Sequence, residues 1–69
     1  MTGTLAGTVR EFDEFRGLGT VVTEDGTRYP FHCTRIADGS RTIAVQTPVE
    51  FEVVAGHLGT WEAAAITPS

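Results

Sequence analysis

Residues 48–55 read Pro-Val-Glu-Phe-Glu-Val-Val-Ala, and this stretch decides the fold class. Its apolar residues Val49, Phe51 and Val53 alternate with two glutamates. Because successive side chains of a β-strand point to opposite faces, this alternation is typical of a strand with one buried face and one solvated face. The sequence therefore predicts an amphipathic strand here.

Four further segments carry strand-forming residues between turn signals. Each is rich in Val, Thr or aromatic residues and is bounded by Gly, Pro or Asp, which is the pattern of short strands separated by turns. No window has the apolar spacing of a three-turn helix, and the best helical candidate is a single turn around residues 34–37. The predicted strands are Leu5–Phe12, Leu18–Thr23, Arg28–Cys33, Pro48–Ala55 and Thr60–Thr67.

The first predicted strand contains a conflict between alternation and burial. If Val9 points to the core, strict alternation buries Glu11 and exposes Phe12. An unpaired buried carboxylate is costly. We therefore expect a β-bulge near Glu11 that returns Phe12 to the core.

Turn signals and length favour a closed architecture. Asp25-Gly26, between the second and third strands, is typical of a tight hairpin turn, and a longer connection joins the third and fourth strands. Closing an antiparallel sheet removes its exposed edges. We expect an all-β, five-stranded antiparallel barrel of the OB type, with residues 1–69 forming one domain.

Composition restricts the partners of the protein. Five arginines and no lysine stand against nine acids, giving a net charge of -4. This is the wrong sign for holding nucleic acid by bulk electrostatics, so any such binding requires a local basic patch. The longest apolar runs, such as residues 63–66, are far too short to span a bilayer, and we expect no membrane partner.

Cysteine content and the amino terminus indicate the compartment. Cys33 is the single cysteine, so it forms no intramolecular disulfide, and no second thiol supports a structural zinc site. Residues 1–4 have neither the basic segment nor the apolar stretch of an export signal. We expect a cytoplasmic protein without metal or cofactor.

The sequence offers no evident catalytic arrangement. His32 and Cys33 are neighbours in a predicted strand, so we expect them to point to opposite faces and not to form a nucleophile and base pair. Paired acids with general acid/base geometry are also missing. We expect Cys33 to be a buried structural thiol, and the protein not to be an enzyme.

Five short segments follow one another in a distinctive order and spacing. They are Gly7–Phe12 (GTVREF), Arg16–Val21 (RGLGTV), Tyr29–Ile36 (YPFHCTRI), Val49–Val53 (VEFEV) and Ala63–Thr67 (AAAIT). Over almost its whole length the chain resembles the bacterial cold-shock domain family, whose pattern reads roughly G-x-V-K-W-F, K-G-F-G-F-I, V-F-V-H-F and V-x-F-E-V. The resemblance implies an OB barrel that binds single-stranded RNA or DNA.

The family's binding surface is a platform of aromatic residues on strands one to three, where each stacked base contributes about 1–3 kcal/mol. At the family's aromatic positions this chain has Glu11, Leu18, Thr20, Pro30 and Cys33, and among the stacking positions only His32 is retained. Arg10 and Arg16 stand where family lysines would contact phosphate. The resemblance therefore implies weak binding of single-stranded nucleic acid. On this hypothesis Arg10, Arg16 and His32 bind the nucleic acid, with contributions from Phe12, Leu18 and Trp61, although Trp61 stands where the family has a small or polar residue.

Alternatives remain for individual residues and for the function. Trp61 either is exposed, to stack a base or anchor a protein partner, or packs as a core or loop indole. His32 either stacks on a base or is an ordinary surface histidine, and the two arginines either bind phosphate or are simply solvated. The rival function is a barrel that has lost nucleic-acid binding and uses its apolar and acidic surface for a protein partner or a homodimer. Glu11, Thr20 and Pro30 favour this rival.

Overall fold

Strands dominate the secondary structure of the chain. The computed structural model describes residues 4–56 and 59–69. The predicted strands are confirmed, each with its ends within one residue of the prediction, and the helical turn is a 3₁₀ turn at Cys33–Arg35. The strands are Leu5–Asp13 (β1), Leu18–Thr23 (β2), Arg28–His32 (β3), Pro48–Ala55 (β4) and Trp61–Pro68 (β5).

One antiparallel sheet contains all five strands, in the order β3-β2-β1-β4-β5. The sheet curls until its two edge strands, β3 and β5, contact each other. Ile36, just after the 3₁₀ turn, forms a parallel bridge with Ile66 of β5, and the N–H of Ala37 donates to the carbonyl of Ile66 at 2.8 Å. The fold is therefore the expected all-β OB-type barrel, with its last side closed by this short bridge instead of a continuous ladder.

The expected bulge in β1 is confirmed. Val9 pairs with Val21 of β2, but the next pair joins Glu11 to Thr20, so Arg10 is the extra residue. Glu11 and Arg10 are exposed, whereas Phe12 is half-buried. The ring of Phe12 stacks on Phe31 with centroids 6.0 Å apart. The bulge thus keeps the carboxylate in water and adds an aromatic ring to the core.

The barrel interior contains only apolar side chains among the described residues. Phe51 is completely buried, and the ring of Tyr29 lies 5.4 Å from it. Fully burying a side chain of this size contributes about 1.5–3 kcal/mol. The core cluster consists of Val9, Val21, Phe31, Ile36, Val49, Phe51, Ala63 and Ile66.

The predicted hairpin turn between β2 and β3 is organised by Asp25. Its carboxylate accepts hydrogen bonds from the hydroxyl of Thr23 and, at 3.0 Å, from the N–H of Thr27. These two bonds, the Thr23 hydroxyl first, hold the pKa of the Asp25 carboxyl below its ordinary value. Gly26 follows at a φ of +88°, a conformation that favours glycine.

The long connection between β3 and β4 returns to β1 before β4 begins. The N–H of Gln46 donates to the carbonyl of Val9 at 2.8 Å, and the N–H of Val9 donates to Thr47 at 3.0 Å. Ile43 packs against the core from this connection. The connection therefore covers the edge of β1 at Val9, next to the start of β4.

Residues 4–56 and 59–69 contain no helix long and apolar enough to cross a membrane. Residues 1–3, on which the expectation about export signals partly rests, lie outside the described residues.

Candidate nucleic-acid interface

The outer surface of β1, β2 and β3 presents two rows of side chains. Thr20 pairs with Glu11 on one side and Pro30 on the other, and Leu18 pairs in the same way with Asp13 and His32. Directly opposed residues on one face have Cβ atoms about 4.5–5.5 Å apart. The register therefore places Leu18 and His32 side by side on an exposed face, as the resemblance implies.

Leu18 and His32 also line a hollow of about 380 Å³. Pro30 and Phe31 line it from the same sheet. Leu18 is 47% exposed, although an apolar side chain at this position gains nothing from water. The remaining lining residues are Thr34, Arg35 and Glu62.

Arg35 and Glu62 were not predicted as part of this surface. Arg35 ends the 3₁₀ turn, and Glu62 lies in β5, so the two meet the face only because Ile36 bridges to Ile66. Barrel closure is a long-range contact that no local pattern encodes. The hollow thus gains one cation and one carboxylate from the closing strands.

The His32 ring is held in a defined orientation. Its Nδ1 accepts a hydrogen bond from the N–H of Thr34 at 3.3 Å and lies 3.0 Å from the Thr34 hydroxyl oxygen. With Nδ1 used as an acceptor, the neutral ring carries its proton on Nε2. The exposed ring is therefore an oriented surface for stacking.

The expectation that His32 and Cys33 point apart is wrong. Cys33 Sγ lies 3.9 Å from His32 Nδ1, because β3 ends at His32 and the chain bends into the 3₁₀ turn. Strand alternation no longer applies beyond that point. Cys33 is half-buried and packs against the core, in keeping with a structural thiol.

Arg16 lies in the turn between β1 and β2 with its guanidinium largely in solvent. Its Nε is 4.0 Å from Asp13 Oδ2, and both side chains are more than half exposed. Such an exposed pair contributes only about 0–1 kcal/mol, so the guanidinium is easily diverted to another anion. Arg16 therefore borders the row that contains Leu18 and is available to a phosphate.

Arg10 occupies the bulge and lines a separate hollow of about 380 Å³. Thr8, Val22 and Gln46 contribute to the same hollow, which also contains Glu24. Leu18 and His32 do not line it. The structure therefore places Arg10 on the sheet surface but apart from the Leu18–His32 pair.

Phe12 and Trp61 lie outside the exposed rows. Phe12 is half-buried with its ring against Phe31, so only part of it is open to a ligand. Trp61 begins β5, pairs with Ala55 and is 61% exposed. The alternative of a packed indole is thus wrong for Trp61, while its neighbour Glu62 is the residue that reaches the hollow beside His32.

One exposed aromatic residue, Phe15, was not among the residues predicted for the binding surface. Phe15, in the turn between β1 and β2, exposes 103% of the reference area for a phenylalanine. The chain has four Phe, one Tyr and one Trp, all within the described residues, and of these only Phe15 and Trp61 are exposed. The sequence did contain a signal for this exposure, because Phe15 lies between the charged residues Glu14 and Arg16 in a predicted turn.

Comparisons with known proteins add no family assignment. No family model matches the chain, and no curated protein matches it.

Proposed function

We propose that the protein binds single-stranded nucleic acid weakly, on the outer surface of β1–β3. The observation that carries this proposal is the exposed pair of Leu18 and His32, with the largely exposed guanidinium of Arg16 nearby in the chain. Single-strand binding surfaces combine groups that stack on or pack against bases with cations that follow the backbone. The order of motifs that resembles the cold-shock family supports the same interpretation.

The chemistry assigns a role to each group. The His32 ring stacks on one base, and Leu18 and Pro30 provide apolar contact for its neighbour. Arg16, and Arg35 at the edge of the hollow, pair with phosphates. The bound nucleic-acid strand therefore crosses β2 and β3 close to the 3₁₀ turn.

Weak binding follows from the same surface. Glu11 and Asp13 lie in the two rows and repel phosphate. Leu18, Thr20 and Pro30 stand at positions where the cold-shock family has aromatic residues. Each missing stack forgoes about 1–3 kcal/mol, or about 5- to 150-fold in affinity.

We also propose a cytoplasmic location, which the unpaired thiol of Cys33 supports, since reducing compartments keep cysteines free.

Replacing Arg16 tests the proposal. Arg16→Ala should weaken the binding of oligonucleotides of any sequence and lower the slope of log K against log salt by about 0.7–1, because one phosphate contact is lost. Arg41→Ala is the matched control, since Arg41 is also exposed but lies in the connection between β3 and β4. Equal effects of the two substitutions would remove Arg16 from the binding surface.

A protein partner is the second candidate function. Leu5 and Val45 expose apolar surface and do not line the hollow beside Leu18 and His32, and the net charge of -4 disfavours polyanions in general. Static light scattering distinguishes this candidate. A homodimer at micromolar concentration, combined with failure to bind oligonucleotides, would favour it over the proposal above.

A further inference from the structure

We propose that Phe15 is an additional base-stacking residue, which takes the base of the nucleotide next to those held over Leu18 and His32. This inference rests on the proposed function and extends it from the sheet surface to the turn between β1 and β2. The ligand is therefore a single strand long enough to pass from the sheet surface over this turn.

The turn that carries Phe15 is fixed by hydrogen bonds. Asp13 Oδ1 accepts from the N–H groups of Phe15 at 2.9 Å and Arg16 at 3.3 Å, and the carbonyl of Asp13 accepts from Gly17 at 2.8 Å. The carbonyl of Gly17 in turn accepts from the N–H of Cys33 at 2.7 Å, which ties the turn to the end of β3. Phe15 is thus presented on an ordered turn, so that binding orders little additional backbone.

Position connects Phe15 to the proposed surface. Phe15 is followed by Arg16, Gly17 and then Leu18, the first residue of β2. Leu18 pairs with His32 of β3. A nucleic-acid strand whose phosphate pairs with Arg16 therefore brings an adjacent base to the Phe15 ring. Both faces of that ring are open, since the side chain is fully exposed.

The Phe15 ring is accessible to a base because the side chain is fully exposed. Phe15 lines an open hollow with Phe12 and residues 43–45, and the acids Asp13 and Glu14 border the same hollow. Stacking needs one free aromatic face per base and no surrounding patch. Asp13 is also engaged by the backbone N–H groups of the turn and by Arg16, so its charge is partly compensated.

Oligonucleotides of graded length test the inference. Fluorescence anisotropy is measured with pyrimidine-rich DNA of two to ten nucleotides, for the wild type, Phe15→Ala and the control Leu5→Ala, which removes an exposed apolar side chain from the start of β1. We expect Phe15→Ala to weaken binding of the longer strands by about 5- to 150-fold. The shortest strands, which occupy only the sheet surface, should bind both proteins equally, and Leu5→Ala should change neither result.

The outcomes separate this inference from the proposed function. If the wild type binds and Arg16→Ala weakens binding while Phe15→Ala has no effect at any length, the role of Phe15 is overturned and the proposed function stands. If the wild type binds no strand, both are overturned. If Phe15→Ala instead dissolves a dimer seen by light scattering, Phe15 serves self-association and the inference is overturned.

A fluorescent variant gives an independent measurement. Phe15→Trp in a Trp61→Phe background places the single indole at the turn. Stacking with a base should quench its emission as the longer strands saturate. Unchanged emission at saturation would overturn the inference even if the affinity of Phe15→Ala were reduced.

Discussion

At the residue scale, Gly19 determines how closely β2 approaches the core. A Cβ atom at this position would lie 2.5 Å from Cζ of Phe31 and 2.8 Å from the carbonyl oxygen of Glu11. The absence of a side chain therefore lets the Phe31 ring pack directly beneath the strand that carries Leu18. The core ring and the proposed binding surface are separated only by the backbone of β2.

Gly19→Ala should destabilise the fold by about 1–3 kcal/mol, because the methyl group overlaps both the ring and the backbone of β1. Chemical denaturation measures the change. Thr20→Ala, on the outer face of the same strand, is the control and should stay within about 0.5 kcal/mol of the wild type. Equal stability of Gly19→Ala and the wild type would contradict the packing described for Phe31.

At the element scale, the row formed by Glu11, Thr20 and Pro30 has the register of an aromatic binding surface but contains no aromatic side chain. Thr20 and Pro30 are directly paired, and Glu11 continues their row on β1. Side chains at these positions point away from the core. Aromatic substitutions in this row therefore add surface for bases without entering the barrel.

Thr20→Phe combined with Pro30→Phe should strengthen oligonucleotide binding at least about fivefold, since each added ring can stack one base. Anisotropy titration measures the gain. Thr67→Phe is the matched control, because Thr67 is exposed on β5 and pairs with Glu50 of β4. An equal gain for the control, or none for the double variant, would place the strand elsewhere on the molecule.

The turn between β2 and β3 should make stability depend on pH. The Thr23 hydroxyl and the Thr27 N–H lower the pKa of Asp25 in the folded protein below its ordinary value of 3.8. A lowered folded pKa means that the stabilisation is complete above the unfolded pKa and is lost as the pH falls through the folded pKa. The stability difference between the wild type and Asp25→Ala should therefore be largest near neutral pH and shrink below about pH 4. A difference that stays constant from pH 7 to pH 2 would contradict this role.

Local patterns predict the strands, but they do not predict which residues closure brings together. The bulge at Glu11 could be predicted because burying Glu11 and exposing Phe12 are both unfavourable. The exposure of Trp61 could not, because β4 and β5 change register between Glu50 and Glu52, where Ala65 has a φ of +51°. Arg35 joins the hollow through the Ile36–Ile66 bridge, which is a tertiary contact. Turn residues such as Phe15 follow no period that would assign them a face.

At the scale of the whole molecule, charge is distributed unevenly despite the net value of -4. Four of the five arginines lie between β1 and the end of the 3₁₀ turn, at positions 10, 16, 28 and 35, and all are exposed. Glu50 and Glu52 lie on β4, on the other side of β1 from β2 and β3. Residues 10–35 also carry five of the nine acids, so attraction for phosphate depends on individual arginines such as Arg16 and Arg35 and not on a basic face.

The most direct test of the proposed surface is a map of backbone amide chemical shifts during titration with pyrimidine-rich single-stranded DNA at low salt. We predict saturable shifts concentrated in residues 15–20 and 30–35, which weaken near physiological salt as phosphate contacts are screened. No saturable shift at several hundred micromolar protein, or shifts confined to β4 and β5, would contradict a nucleic-acid surface on β1–β3.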